Sequence, residues 1–230
     1  MKTIGMIGGM SWESSKIYYQ HLNEMVREKL GGSHSAKNIL SSVDFAEIER
    51  HSFSDDWEEI GKIMALHAQK LEAAGSDLVL LCTNTIHLVS DAITNASSIP
   101  FLHIAQATGE AIQKSGLKKV ALLGTKFTME RDFYTKILEG EFGLEVLIPE
   151  AADREALQSI IYGELVKGVF TDTSKERCLK IIEKMEARGA QGAIMGCTEL
   201  PLLIAEGEAS IPTFDTAKIH AQKAVEFALS

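Results

Sequence analysis

Cysteine is scarce in this sequence, and its spacing excludes one common structural role. Only Cys82, Cys178 and Cys197 occur among 230 residues, an odd number with no C-x-x-C pair. This argues against a disulfide framework and favours a reducing compartment, so we expect a cytoplasmic protein. The seven histidines form no H-E-x-x-H or other compact ligand motif, and the sequence indicates no metal site.

Long apolar runs and an excess of basic residues are also absent. No run approaches the roughly 18 apolar residues of a transmembrane helix. The apolar stretch at residues 4–10 is too short for a signal peptide and is broken by three glycines. With 23 Lys and Arg against 32 Asp and Glu, the net charge is −9, which disfavours binding to phosphate backbones. We expect neither a nucleic acid nor a membrane as partner.

The chain does contain a regular alternation of two patterns. Short apolar runs, typical of buried parallel strands, alternate with stretches of helical periodicity. The predicted strands are residues 3–7, 39–43, 78–81, 120–123, 145–148 and 193–195. The predicted helices are residues 12–30, 57–74, 128–141, 154–166 and 174–188. This alternation predicts an α/β protein with parallel sheets flanked by helices.

An internal repeat divides the pattern into two halves. IGMIG at residues 4–8 matches VALLG at 120–124, GSDLVLLCT at 75–83 matches GAQGAIMGC at 189–197, and the Ile-Pro pair at 99–100 matches that at 211–212. The offsets are nearly constant, at 116, 114 and 112 residues. They predict two pseudo-symmetric doubly wound lobes, residues 1–99 and 100–209, with residues 210–230 returning to the first lobe.

The repeat makes Thr83 and Cys197 equivalent, and each follows a predicted strand. Ligands bind beyond the carboxyl ends of parallel strands, so we expect the two residues to face each other across an interlobe cleft. After Cys197, Thr198 and Glu199 suit the start of a helix, whose dipole would favour a thiolate. The residues alone equally allow a buried cysteine that acts as a small apolar side chain.

The segment CTNT at residues 82–85 interrupts an apolar strand with polar groups. One such residue suffices to cap a helix, so several in a row favour contact with a ligand. His87, one turn beyond Thr83, either borders the same cleft or supports a local helix start. The matching first turns of the two halves, at Met10 and Thr125, lack a G-x-G-x-x-G motif and a Walker lysine. They suit a small ligand better than a phosphate.

Three segments together resemble the cofactor-independent aspartate/glutamate racemase family: GGMSW at residues 8–12, NTIH at 84–87 and GCTE at 196–199. The resemblance covers essentially the whole chain and is closest to the broad-specificity or L-aspartate/glutamate-type branch. It implies an isomerase that racemises amino acids, uses no cofactor and forms a homodimer. It also implies one cysteine at each strand end, a thiolate that removes the Cα proton and a thiol that protonates the opposite face.

The resemblance places these catalytic roles at Cys197 and Thr83, so the sequence departs from the family pattern at residue 83. A threonine hydroxyl is a far weaker base than a thiolate. We therefore expect an asymmetric enzyme that favours the enantiomer whose Cα–H points at Cys197, which by resemblance is L. Cys82 stands one residue early, and neighbours in a strand point to opposite faces, so we interpret Cys82 as structural.

Forming a carbanion without a cofactor requires hydrogen-bond donors aimed at the substrate carboxylate. The predicted substrate-binding residues are Met10, Asn84, Thr85, Thr125, Thr198, Glu199, Arg50 and Lys167. Arg50 or the pseudo-symmetric Lys167 would bind an acidic side chain, although either could be a solvated surface charge. If Glu164 faced the cleft instead of Lys167, neutral or basic amino acids would be favoured.

Two other classes of function stay open at this point. The same scaffold could racemise hydantoins or isomerise a small diacid between cis and trans. Because Thr83 departs from the family pattern, a non-catalytic amino-acid-binding protein is the third possibility. Loss of optical rotation with added L-aspartate or L-glutamate supports the racemase, whereas thermal stabilisation by a ligand without uptake of solvent deuterium at Cα supports the binding protein.

Overall fold

The computed structural model describes all 230 residues and divides the chain into two compact units. The first comprises Met1–Ile104 and His220–Ser230, and the second comprises Ala105–Ile219. The divisions therefore come later than the predicted ones, which followed residues 99 and 209. The reason is that a short strand just after each Ile-Pro pair still belongs to the sheet of the preceding unit.

The first unit is built on four parallel strands in the order β2-β1-β3-β4. The strands are β1 (Ile4–Gly8), β2 (Asn38–Ser42), β3 (Leu78–Leu81) and β4 (Phe101–Leu102). The helices are α1 (Trp12–Leu30), α2 (Phe45–Phe53), α3 (Trp57–Ala73) and α4 (Ser90–Ala96). A 3-10 turn at Thr85–Val89 lies between β3 and α4. Apolar side chains of β1, β3 and α3 form the core beside the sheet.

The second unit repeats this architecture, with the strand order β6-β5-β7-β8. The strands are β5 (Lys119–Gly124), β6 (Glu145–Leu147), β7 (Gly192–Gly196) and β8 (Thr213–Asp215). The helices are α5 (Ile104–Ser115), α6 (Lys126–Glu130), α7 (Asp132–Phe142), α8 (Ala151–Gly163), α9 (Asp172–Ala187), α10 (Leu200–Leu203) and α11 (Thr216–Leu229). The chain leaves the first unit at the start of α5 and returns to it within α11.

The identical strand order of the two sheets confirms the predicted fold class of two pseudo-symmetric α/β lobes. Side-chain contacts follow the same repeat. Tyr18 and Tyr134 are both fully buried. The Tyr18 hydroxyl hydrogen-bonds His220 Nδ1 at 2.8 Å, and the Tyr134 hydroxyl donates to Thr108 Oγ1 at 3.3 Å. None of the helices combines the length and hydropathy that a membrane-spanning segment requires.

Candidate active site

Cys197 follows β7 directly, where β5 and β7 approach each other closely. Gly124 and Gly196 end these strands and are paired in register. A Cβ atom on Gly124 would lie 2.7 Å from the Gly196 carbonyl oxygen, and one on Gly196 would lie 2.8 Å from the Leu123 carbonyl oxygen. Side chains do not tolerate such distances to backbone, so glycine is needed at both places. The glycine pair thereby fixes the strand end from which Cys197 extends.

The thiol of Cys197 is directed at a carboxylate. Its Sγ donates a hydrogen bond to Glu199 Oε2 at 3.2 Å, and the Thr198 hydroxyl donates to the same oxygen at 2.8 Å. Cys197 is 6% exposed and Glu199 is 3% exposed. Glu199 therefore accepts from two neighbouring side chains and lies beside the thiol in a nearly dry environment.

This environment raises the pKa of Cys197 well above its ordinary value. Burial is the largest cause because it disfavours the charged thiolate, and the charge of Glu199 adds to it. Backbone N–H groups of Glu199 and Leu200 act in the opposite direction but do not offset the burial. The expected preference for a thiolate is thus reversed, because burial and the charge of Glu199 outweigh the backbone N–H groups at the start of α10. Cys197 rests as a thiol whose proton points at Glu199.

The equivalent strand end in the first unit carries Thr83, Asn84 and Thr85, all of them buried. Hydrogen bonds hold the backbone just before Thr83 in place. The Cys82 N–H donates to the Ile7 carbonyl at 2.9 Å, and the Ser14 hydroxyl donates to the Cys82 carbonyl at 2.7 Å. The polar segment singled out in the sequence is therefore an ordered strand end.

His87 connects Thr83 to Ile104, the first residue of α5. Its Nδ1 lies 2.7 Å from the Thr83 carbonyl oxygen, and the Ile104 N–H donates to its Nε2 at 3.2 Å. A carbonyl can only accept, so Nδ1 carries the proton and Nε2 offers its lone pair. A single neutral tautomer satisfies both partners. The bond to Thr83 is local, as the structural interpretation of His87 predicted, whereas the bond to Ile104 reaches a distant segment of the chain.

His87 belongs to a cluster of buried histidines. Its ring centroid lies 4.6 Å from that of His103 and 5.8 Å from that of His220. Burial lowers the pKa of all three rings, to about 4 for His103 and about 3 for His220. His220 Nε2 donates to the Leu102 carbonyl at 2.8 Å. Sequence analysis missed this cluster because its three residues are distant in the chain and follow no recognisable spacing. Only the folding of the first unit brings their rings together.

The first turns of the two units, at Met10 and Thr125, have structural roles. Met10 is buried within the apolar core of the first unit. Gly9 before it has φ +96°, and a Cβ there would lie 2.3 Å from the Val43 carbonyl oxygen. In the second unit Thr125 caps α6, and its Oγ1 accepts the Thr128 N–H at 3.2 Å. Substrate contacts of Met10 and Thr125 stay predictions.

The predicted cations lie at the surface of their units. Arg50 is exposed in the last turn of α2, and Lys167 is exposed at the end of the 3-10 turn Leu165–Lys167. Glu164 has partners within the second unit, because its Oε2 accepts from the Thr171 and Ser174 hydroxyls at 3.1 and 2.7 Å. These bonds hold Glu164 at the start of α9. A role for Arg50 or Lys167 in substrate recognition stays a prediction.

The two remaining cysteines are buried thiols. Burial raises the pKa of Cys82, and it raises that of Cys178 to about 12. The interpretation of Cys82 as structural stays a prediction, since burial raises the pKa of Cys197 as well. No group of three or more His, Cys, Asp and Glu side chains is arranged to hold a metal ion.

Known proteins are similar to this chain over nearly its whole length. The family model described as Asp/Glu/Hydantoin racemase matches residues 7–224. The broad specificity amino-acid racemase RacX of Bacillus subtilis (strain 168) is 25% identical over 233 residues, and the match covers 96% of each chain.

Solved structures give the same correspondence. A crystal structure of a candidate Asp/Glu racemase from Yersinia pestis superposes with a TM-score of 0.92 at 47% identity and covers 100% of both chains. An aspartate racemase homologue from Pyrococcus horikoshii OT3 superposes with a TM-score of 0.86 at 41% identity, again over 100% of both chains. The likeness therefore extends from the fold to the sequence.

Proposed function

Because the chain belongs to the Asp/Glu/hydantoin racemase family and is thus an isomerase of the racemase type, we propose that it inverts the Cα configuration of aspartate, glutamate or a broader set of amino acids. The proposed reaction removes and returns the Cα proton without a cofactor. The observation that carries this proposal is the hydrogen bond from the Cys197 thiol to the Glu199 carboxylate at the carboxyl end of β7. A thiol paired with a buried acceptor can become a thiolate without exchanging a proton with solvent.

In the proposed first step, Cys197 Sγ gives its proton to Glu199 Oε2, leaving a thiolate and a carboxylic acid. The thiolate then takes the Cα proton of the bound amino acid. The electron pair of the broken C–H bond is delocalised into the substrate carboxylate, which must be stabilised by donors aimed at its oxygens. We assign that task to Asn84 and Thr85, and to Thr198 once Glu199 is protonated and the Thr198 hydroxyl turns from Glu199 to the substrate.

In the proposed second step, the Thr83 hydroxyl delivers its proton to the opposite face of Cα and is reprotonated from solvent, while Glu199 releases its extra proton to solvent. A hydroxyl serves better as the donor to a carbanion than as the base that creates one, since its pKa lies far above the working pH. The two directions of racemisation should therefore differ in rate, with the L enantiomer favoured. Arg50 or Lys167 would bind the acidic side chain, and a homodimer is the expected assembly.

Solvent deuterium exchange tests this function directly. The chain is incubated in heavy water with a panel of L- and D-amino acids and a 5-substituted hydantoin, and deuterium at Cα is followed by NMR together with optical rotation. We expect exchange with L-aspartate or L-glutamate, and its near-complete loss in Cys197→Ser. Thermal stabilisation by an amino acid without any Cα exchange would overturn the racemase function and leave a binding protein. Exchange confined to the hydantoin would assign the other branch of the family.

A further inference from the structure

The two equivalent strand ends differ in what holds their backbone. In the second unit, the Cys197 carbonyl accepts the Leu200 N–H at 3.1 Å, a bond within the chain's own turn. In the first unit, the Thr83 carbonyl accepts the His87 imidazole at 2.7 Å. By the offset of 114 residues, the position equivalent to His87 is Pro201, which has no side-chain donor. The imidazole contact therefore belongs to the threonine half alone.

The second nitrogen of His87 extends this contact to another element. Nε2 accepts the N–H of Ile104, the first residue of α5. The ring is fully buried and holds one tautomer, so it cannot exchange its two partners by rotation. His87 thus acts as a rigid link between the residue that follows β3 and the helix that follows β4.

The backbone before this link is equally constrained. The Cys82 carbonyl accepts the Ser14 hydroxyl, and the Thr83 N–H donates to the Leu81 carbonyl at 2.9 Å. Threonine is β-branched, and its χ1 angle is stiff. The position of the backbone, which the His87 ring holds at the carbonyl, therefore limits where the Thr83 hydroxyl can lie.

We propose that His87 is a positioning residue for Thr83, whose imidazole holds the Thr83 carbonyl so that the hydroxyl meets the substrate Cα from one direction. This inference rests on the proposed function, in which Thr83 protonates Cα. A hydroxyl is a poor proton carrier, so its alignment matters more than that of a thiolate. Misplacement by about 1 Å can lower a rate on the order of 10²-fold.

Two substitutions separate the two bonds of the ring. In His87→Asn, the side-chain amide N–H takes the place of Nδ1–H and can still donate to the Thr83 carbonyl, whereas the Ile104 N–H loses its acceptor. In His87→Gln, the amide oxygen reaches the place of Nε2 and can accept from Ile104, whereas the bond to Thr83 is lost. Both variants replace a buried aromatic ring with an amide, so they share most of the packing cost.

The readout is the ratio of Cα inversion to Cα exchange with retention, measured in heavy water on an L-amino acid that the wild type turns over. Exchange with retention needs Cys197 and its acceptor Glu199, whereas inversion also needs the Thr83 hydroxyl. We expect His87→Gln to lower the ratio on the order of 10- to 100-fold with little change in KM. His87→Asn should restore it to within a few-fold of the wild type. A purely structural defect would lower inversion and exchange together.

His220→Gln is the matched control, since it perturbs the same buried cluster but has no bond to Thr83. It should lower thermal stability and leave the ratio unchanged. Equal ratios in wild type, His87→Gln and His87→Asn would overturn the positioning role. An absence of Cα exchange in the wild type, with every substrate of the panel, would instead overturn the proposed function.

Discussion

The Cys197 thiol and the Glu199 carboxylate lie 3.2 Å apart in a buried hydrogen bond, with the sulfur as donor. The same carboxylate has two opposite effects on the thiol. Its charge raises the pKa of Cys197, which keeps the sulfur protonated at rest. Its oxygen is also the nearest place to which that proton can go. The proposed mechanism requires the second effect during turnover.

Glu199→Gln separates these two effects. The amide removes the negative charge, so the pKa of Cys197 should fall and alkylation by iodoacetamide should extend to lower pH. If Glu199 is the proton acceptor, kcat should nonetheless fall by roughly 10²- to 10⁴-fold, the usual contribution of a general base. Higher activity in this variant would mean that Glu199 only suppresses the thiolate.

Thr198→Val is the control for this experiment, because Thr198 donates to the same carboxylate oxygen. The variant keeps the charge and the acceptor of Glu199 and removes one donor to it. Thr198 is also a candidate donor to the substrate carboxylate, so removal of its hydroxyl should raise KM. The alkylation profile of Cys197 should stay near that of the wild type.

Thr83 variants test the proposed asymmetry. Thr83→Ala removes the hydroxyl and should abolish inversion while Cys197 continues to exchange the Cα proton with solvent. Thr83→Cys supplies a thiol at the equivalent position and should bring the rates of the L and D enantiomers closer together. The measurement is the initial rate of each enantiomer in heavy water at saturating substrate, because an equilibrium constant of one makes kcat/KM equal in the two directions and leaves only kcat and KM free to differ. Equal wild-type rates for both enantiomers would contradict the asymmetric mechanism.

The histidine cluster predicts how stability depends on pH. The pKa values of His87, His103 and His220 are lowered in the folded state, so between the folded and unfolded pKa values the unfolded chain binds more protons. The free energy of unfolding should be highest above pH ~6.5 and fall as the pH decreases toward 4, by up to about 1.4 kcal/mol per pH unit for each ring.

Urea unfolding at several pH values between 7.5 and 5 measures this slope. His220→Gln removes one of the three rings. The part of the slope of unfolding free energy against pH that the three rings contribute together should therefore decrease by about one third. A slope unaffected by His220→Gln would show that the other titrating groups dominate.

The glycine pair before Cys197 can be tested against a glycine elsewhere. In Gly196→Ala, the new methyl group would lie 2.8 Å from the Leu123 carbonyl oxygen, which must move. We expect a loss of about 1–3 kcal/mol in stability and a fall in turnover, because the strand end that carries Cys197 shifts. Gly140→Ala lies within α7, and its Cβ would meet nothing within 4 Å. It should raise stability by up to about 1 kcal/mol and leave kcat unchanged.

Several elements could be predicted closely because their signal is local. Helix α1 begins and ends as predicted, at Trp12 and Leu30, where Ser11 caps its first turn. Strand β3 was likewise predicted with its observed bounds. The predicted helix at residues 128–141 is instead two helices, since Arg131 adopts an extended conformation between α6 and α7.

Short or interior elements escaped prediction. Strands β4 and β8 have two and three residues, too few for a pattern, and their neighbours in the sheet define them. Because these strands were not predicted, both predicted domain boundaries came earlier in the chain than the observed divisions. The bond between Cys197 and Glu199 could be anticipated only as nearness in sequence, because its direction depends on how the turn after β7 folds.

The sequence by itself determined the duplicated α/β architecture, the equivalence of Thr83 with Cys197 and the family, because repeats and short motifs are carried by neighbouring residues. Only the tertiary structure decided the protonation of Cys197 and brought His87, His103 and His220 together. Burial and contacts between distant segments set these properties. Both depend on which strands pair and how deeply a side chain is enclosed, and no local pattern records either.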